Sequence, residues 1–421
     1  MNKLLLALPI ILSVMTFAQT NDAGPASISP QARAIHESAI IVDTHADTPQ
    51  RFLDEGFDLA TDTNPHDGHE DFGKIQRGNL GAEFFSIWVE PSSNLGHFAK
   101  RTLELIDSVD QQAVRHPDRM TMAFSADDIV AAHRNHKFAA LMGIEGGHSI
   151  ENDIRLLRDF YRLGVRYMTV TWSNSTDWAE SSGDVKVPGV APPHGLTDFG
   201  KQVVREMNRL GMMLDISHVS DQTFYDVIAT TQAPVIASHS SARTLTNHAR
   251  NMTDDMLRAV TKNGGVVQVN FFPAFIDENF RKAYAAQTKE RDAAIAAVTA
   301  QYKDADPATR FRMQDNAGKE WAAKIPRPPF KSLIDHIDHI AKVAGIDHVG
   351  LGSDFDGVPC LPQGIDSVAD LPKITQALLD RGYTREQIHK ILGGNLLRVF
   401  HEVEAVSRKL QSKTASATAA K

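Results

Sequence analysis

Five apolar runs in this chain end in residue types that bind divalent metals. AIIVDTHAD (39–47) closes on His45-Ala46-Asp47, which puts two ligand-type side chains on one face of an extended segment. FAALMGIEGG (138–147) delivers Glu145, and MMLDISH (212–218) ends in Asp215-Ile216-Ser217-His218. PVIASHS (234–240) ends in Ser238-His239-Ser240, and HVGLGSDFDG (348–357) carries Asp354-Phe355-Asp356. Burying so many ionisable groups together without a counter-charge is expensive, and a bound cation supplies that charge. Three neutral imidazoles with two carboxylates suit zinc or a similar borderline ion better than calcium or magnesium. With two ions, one can take His45, Asp47 and one oxygen of Glu145, and the other the second oxygen of Glu145, His218 and His239. Each keeps room for a shared water whose pKa falls toward neutrality on the metal, the inventory of a two-metal hydrolase.

Other metal-rich stretches fail the test of position. His66-Asp67-Gly68-His69-Glu70-Asp71 lies in a polar Pro/Gly loop rather than at a strand end, and reads as solvated. His148 follows the Gly146-Gly147 turn, where a local hydrogen bond is expected rather than ligation. Cys360, the single cysteine, stands apart from any ligand pattern and reads as structural; it also excludes a disulfide framework and any CxxC site.

The elements that must position these groups are strands alternating with helices. Three further apolar runs, AEFFSIWV (82–89), RYMTVTW (166–172) and GGVVQVNFF (264–272), bring the strands to eight, several apolar nearly throughout, as in parallel strands covered by helices. Segments such as Ala99–His116 and Leu196–Leu210 carry helical periodicity. This pattern predicts an α/β fold, a (β/α)8 TIM-type barrel over 38–405, with the ionisable groups at its C-terminal face. The open doubly wound sheet is disfavoured, because no GxGxxG or GxxxxGK[ST] follows any strand. Residues 275–331, charged and alanine-rich, read as a helical insertion before the last strand, either a lid or dimer element over the mouth or a solvated hairpin.

Composition removes other classes. The 421 residues carry 44 basic and 52 acidic side chains, a formal charge of −8, against the basic footprint that nucleic acid requires. Hydrophobic residues at 42% exclude wholesale disorder. Met1–Ala18 reads as a signal peptide, with Lys3, an apolar run Leu4–Phe17 and cleavage near Ala18, so export to a periplasm or the exterior is expected, with no stable membrane anchor. Residues 19–37 form a lead-in and 406–421 a small, polar, flexible tail.

The set THAD (44–47), GIEGG (143–147), LDISH (214–218), SHSSAR (238–243) and GSDFDG (352–357), with NLLRVF (395–400), resembles the membrane dipeptidase family, also called renal dipeptidases. The resemblance runs in order from about residue 38 to 405. It implies a metal-dependent (β/α)8 barrel, zinc-dependent hydrolysis of free dipeptides through a metal-bridging hydroxide, and a homodimer. Matched residue by residue, His45, Asp47, Glu145, His218 and His239 fall on the family's ligands, with Glu145 the bridge. Arg250, in NHARNMTDD, matches the arginine that holds the substrate's C-terminal carboxylate. Asp354 matches a pocket aspartate suited to proton transfer and to gripping the free amino group.

One position departs from the family. Its fourth strand ends Thr-His, whereas this chain reads TVTWSNSTDWA, with Trp172 in the histidine's place and Asn174 and Asp177 as nearby substitutes. Tryptophan keeps one N–H donor but cannot carry charge. Trp172 is expected at the barrel mouth as a substrate-binding wall, with packing in the helix layer as its alternative. Two other functions compete: another binuclear amidohydrolase of lactonase or deaminase type, and a non-catalytic periplasmic metal- or peptide-binding barrel.

Overall fold

The computed structural model describes residues 22–62, 68–185 and 194–419. Nine parallel strands form one sheet: β1 (Ile41–Ala46), β2 (Leu80–Trp88), β3 (Met120–Met122), β4 (Phe138–Glu145), β5 (Val165–Thr169), β6 (Met213–Asp215), β7 (Val235–Ala237), β8 (Val266–Val269) and β9 (Val349–Leu351). Eight of them close into a ring: β2 pairs directly with β4, from Ala82 opposite Ala139 to Trp88 opposite Glu145, and β1 meets β9 at Asp43 and Leu351. The (β/α)8 barrel expected from the eight apolar runs is therefore the fold. The sequence pattern misses β3, three residues long, which pairs only with the first half of β4 while β5 pairs with the second half.

The ladders are shorter than the apolar runs that announce them. In MMLDISH only Met213–Asp215 is strand, and in HVGLGSDFDG only Val349–Leu351. The chain leaves the extended conformation just beyond these strands: His218 and Asp354 adopt φ of 67° and 65°, a left-handed backbone that non-glycine residues rarely take. His45 and Glu145 thus stand at the last positions of their strands, whereas His218, His239 and Asp354 sit on the loops just beyond theirs.

Two apolar layers hold the ring. Outside it, amphipathic helices pack against the strands with defined ends: Thr197 caps Asp198–Leu210 and Gly211 closes it at φ 87°, and Thr253 and Gly264 do the same for Asp254–Asn263. Inside it, Val42, Phe84, Leu141, Tyr167, Met213 and Ile236 pack with Leu396, Val399 and Phe400, so the NLLRVF run belongs to the barrel's interior core. The stretch read as a flexible tail continues the helix Asn395–Ala419. The insertion forms helices Glu278–Ala286, Thr288–Gln301 and Pro307–Ala322, and Thr288–Gln301 buries none of its residues. Met1–Asn21, including the signal-peptide segment, lie outside the described residues, among which no helix is long and apolar enough to cross a membrane.

Gly143 is a packing requirement of the ring. A Cβ there would lie 2.0 Å from the ring of Tyr167, which is fully buried on the neighbouring strand. Gly143→Ala should lower stability by about 1–3 kcal/mol, the cost of overpacking a dense core, read as a reduced urea midpoint with an unchanged slope.

Candidate active site

The five residues expected as ligands converge at the C-terminal mouth of the barrel, all buried. Glu145 stands at their centre. Its Oε1 lies 2.8 Å from His218 Nε2 and 3.4 Å from His239 Nε2, and its Oε2 lies 3.5 Å from His45 Nε2. His45 Nε2 is in turn 3.6 Å from Asp47 Oδ2. The two carboxylate oxygens thus face separate groups, as the donor count in the sequence suggested.

Each imidazole is held from behind. His45 Nδ1 is 2.9 Å from Tyr167 Oη, whose hydroxyl donates to Thr44 O at 3.1 Å; the tyrosine oxygen therefore accepts from Nδ1–H and leaves the Nε2 lone pair facing the cavity. His239 Nδ1 is 2.8 Å from Ser238 Oγ, which donates to Asp215 Oδ2 at 2.6 Å, fixing the same tautomer. Asp215 also accepts from Thr169 Oγ1 at 2.6 Å and from the backbone N–H groups of Ser217 and Ser238, so it orients others rather than facing the cavity. Ser173 Oγ lies 3.3 Å from His218 Nδ1.

The residues present fit a divalent cation. His45 Nε2 and Asp47 Oδ1 are buried with no hydrogen-bond partner, and the Nε2 atoms of His218 and His239 face each other at 3.0 Å. Burial pushes His218 down to about 3 and His239 well below its ordinary range, which favours the neutral imidazole that a metal would require. Burial raises Asp47 to about 7, whereas Glu145, despite its burial, is held well below the carboxylate range by His45, His218 and His239. Two groups, His45–Glu145–His239 and His45–Asp47–Asp354, bring ligand atoms within 4.8 Å of one another.

Around this centre lies a cavity of about 490 Å³, within the usual size of a small-molecule site. Arg250 lines it. Its Nη2 donates to His239 O at 3.2 Å and its Nη1 to Ser240 Oγ at 3.4 Å, the guanidinium lies 5.4 Å from the Phe275 ring centroid, and burial lowers its pKa to about 10. Among the described residues it forms no ion pair, so its charge is free for an anion. Asp354 also lines the cavity; its Oδ2 accepts from Asn270 Nδ2 at 2.8 Å, and burial raises its pKa. Trp172 is half-buried in the cavity wall, its ring 5.1 Å from Trp88 and 6.2 Å from His218. Neither Asn174 nor Asp177 lines the cavity, and Asp177 is exposed and bonded to Asn152. Ser173 is the neighbour that reaches it.

Among the described residues, the end of the loop read as solvated, Gly68–Asp71, turns inward. Glu70 and Asp71 are buried, and Lys74, equally buried, lies 3.3 Å from Asp71. His69 clamps the turn that carries Asp354: the backbone N–H of Asp356 donates to His69 Nδ1 at 2.7 Å, and the N–H of His69 donates to Asp356 Oδ1 at 2.8 Å. Residues 63–67, with His66 and Asp67, lie outside the described residues. His148 makes the local bond expected of it, donating from Nε2 to Val89 O at 2.8 Å. Cys360 is half-buried, and burial pushes its thiol up to about 12.

A parallel (β/α)8 barrel that gathers imidazoles and carboxylates at its C-terminal mouth is the architecture of a metal-dependent hydrolase. The sequence model of the membrane dipeptidase family, peptidase family M19, matches residues 29–414, and the chain belongs to this family of peptide-bond hydrolases acting on dipeptides with a divalent metal. An uncharacterized dipeptidase of Schizosaccharomyces pombe is 37% identical over 397 residues, covering 90% of this chain and 84% of its own. The crystal structure of the probable dipeptidase PvdM from Pseudomonas aeruginosa superposes with a TM-score of 0.75 at 27% identity, covering 89% of this chain and 98% of its own. A metallopeptidase from Rhodobacter sphaeroides, liganded with a phosphinate mimic of the dipeptide L-Ala-D-Ala, superposes with a TM-score of 0.69 at 25% identity, covering 87% and 100%.

The partner of His45 was not legible as a functional residue, since Tyr167 sits in an apolar run. Tyr167→Phe removes the acceptor for His45 Nδ1–H while keeping the ring against Gly143. It should weaken metal retention by about 10- to 100-fold, measured by competition with a chelator, at nearly unchanged thermal stability.

Proposed function

We propose that the protein is a binuclear zinc dipeptidase in which His45, Asp47 and Glu145 hold one ion and Glu145, His218 and His239 the other. The observation that carries this reading is the division of Glu145, one oxygen toward His218 and His239 and the other toward His45. When bound, the two ions would supply Lewis acidity toward the scissile carbonyl and would lower the pKa of water as nucleophile.

The chain's own residues do the rest. Arg250 presents a planar fork to the substrate's terminal carboxylate, in a buried setting where charge-assisted hydrogen bonds are strong. This selects substrates whose terminal carboxylate falls one residue beyond the scissile bond, and recognition of the free amino group at Asp354 restricts them to dipeptides. Asp354, oriented by Asn270 and raised by burial, receives a proton and passes it to the leaving amine, and it attracts the substrate's ammonium group. Trp172 narrows the cavity between Trp88 and His218, at the position where the family resemblance implies a histidine, and favours small groups beside it. The dipeptide mimic held by the Rhodobacter sphaeroides relative supports an occupant of this size. The leading apolar segment supports export, with cleavage near Ala18.

Two measurements test the proposal. The active enzyme should carry two divalent ions per chain, and Glu145→Gln should weaken both sites and lower turnover by several orders of magnitude; metal analysis giving one ion per fully active chain sinks the binuclear reading. Arg250→Ala should cost about 2–4 kcal/mol in transition-state binding, or ~30- to 1000-fold in kcat/KM, for a free dipeptide. A C-terminal dipeptide amide should be a poor substrate for the parent enzyme; equal rates on the acid and the amide would assign Arg250 another role.

A further inference from the structure

The catalytic cavity adjoins a second chamber of about 740 Å³, and Gln50, Trp88, Glu90, Trp172, Phe311 and Gln314 line both. The inserted hairpin builds the chamber's far wall, with Ile295 and Thr299 on the helix Thr288–Gln301 and Arg310 on the helix Pro307–Ala322. Arg250 lines the catalytic cavity but not the chamber. A dipeptide whose carboxylate lies on Arg250 therefore directs its amino-terminal residue toward the chamber.

The charges of the chamber almost cancel. Arg101 Nη2 donates to Asp54 Oδ2 at 2.6 Å, and Lys100 pairs with Glu104. The Glu90 carboxylate accepts from the backbone N–H of Ser92 at 3.0 Å and of Ser93 at 2.6 Å, and from both serine hydroxyls. Arg310 is half-buried, and among the described residues its guanidinium makes no hydrogen bond or ion pair. The lining thus carries three acidic and three basic side chains, with Glu90 held by hydrogen bonds alone at the border of the two cavities and Arg310, among the described residues, the cation without a carboxylate partner. Arg310 lies beyond a neck of aromatic rings, where Trp88 lies 5.1 Å from Trp172 and 6.5 Å from Phe311.

We propose that this chamber is a subsite for the side chain of the substrate's amino-terminal residue, and that it selects a long side chain ending in a carboxylate. The aromatic neck covers the methylene stem, and Arg310 meets the terminal anion. The proposal rests on the dipeptidase reading with Arg250 at the substrate's carboxylate. Because Arg310 is half-exposed, its effect is moderate and falls with salt.

The test compares kcat/KM of the metal-loaded enzyme for Glu-Ala, Gln-Ala, Ala-Ala and Ala-Glu. Glu-Ala should exceed Gln-Ala by about three- to tenfold at low ionic strength, and the ratio should shrink as sodium chloride is added. Arg310→Ala should bring that ratio close to one, Arg310→Lys should keep part of it, and neither should change the ratio of Ala-Glu to Ala-Ala. Thr299→Trp, which fills the chamber from its far wall, should lower Glu-Ala and Gln-Ala alike relative to Ala-Ala. A ratio of one between Glu-Ala and Gln-Ala in the parent, or a ratio that Arg310→Ala leaves in place, overturns the subsite while dipeptide turnover stands. Absence of turnover for every dipeptide overturns the dipeptidase reading, and the subsite with it.

Discussion

A carboxylate buried at the mouth of an apolar barrel has to be answered by positive charge or by a proton, and Glu145 stands where three imidazoles leave a place for a cation. His45, His218 and His239 each reach it within 3.5 Å from a different strand end. None of the three could stay there alone: each imidazole is fixed by a hydrogen bond to the rear, from Tyr167, Ser173 or Ser238, and Ser238 is fixed in turn by Asp215. The arrangement of strands, the left-handed backbone at His218 and the close fit of Tyr167 beneath Gly143 are the conditions under which one buried carboxylate can be shared. Elsewhere in the barrel the same problem has the other solution. Burial and the neighbouring carboxylates raise Glu70 and Glu83 well above the ordinary carboxylate range, which favours their protonated forms.

The ring of eight strands and the convergence of ligand-type residues were legible because polar residues interrupt otherwise apolar runs at their C-terminal ends. What escaped depends on pairing between distant segments. Tyr167 looks like core in RYMTVTW, and only the register of β4 against β5 brings it beneath Gly143 and behind His45. Asn270 is one polar residue in GGVVQVNFF, and its tie to Asp354 spans the gap between two strands. The charge density of the His66–Asp71 stretch suggested solvent. Instead Lys74 compensates Asp71 in the interior, and His69 binds a turn nearly three hundred residues away in sequence. Composition alone cannot distinguish charges that face water from charges that face each other.

The sequence leaves the inserted hairpin open between a lid or dimer element and a solvated excursion, and its helices differ in what they reach. The helix Thr288–Gln301 buries none of its residues fully but lines the adjoining chamber with Ile295 and Thr299, while the next sends Phe311, Gln314 and Asp315 into the catalytic cavity. Such an element can vary in sequence along its outer face without disturbing the metal centre, which places the source of substrate discrimination apart from the source of catalysis. Trp172 and Trp88 stand at the border between the two.

The pairing of β1 with β9 has a bearing on how the chain acquires its activity. Asp43 meets Leu351, Asp354 donates its backbone N–H to His45 O, and Val399 and Phe400 pack in the interior layer beside Val42. Segments more than three hundred residues apart must therefore find one another before the mouth exists, a topology of high contact order and slow closure. A chain that lacks its last third possesses His45 and Glu145 but neither Asp354 nor the β1–β9 seam, so the mouth is complete only when the two ends of the barrel have paired.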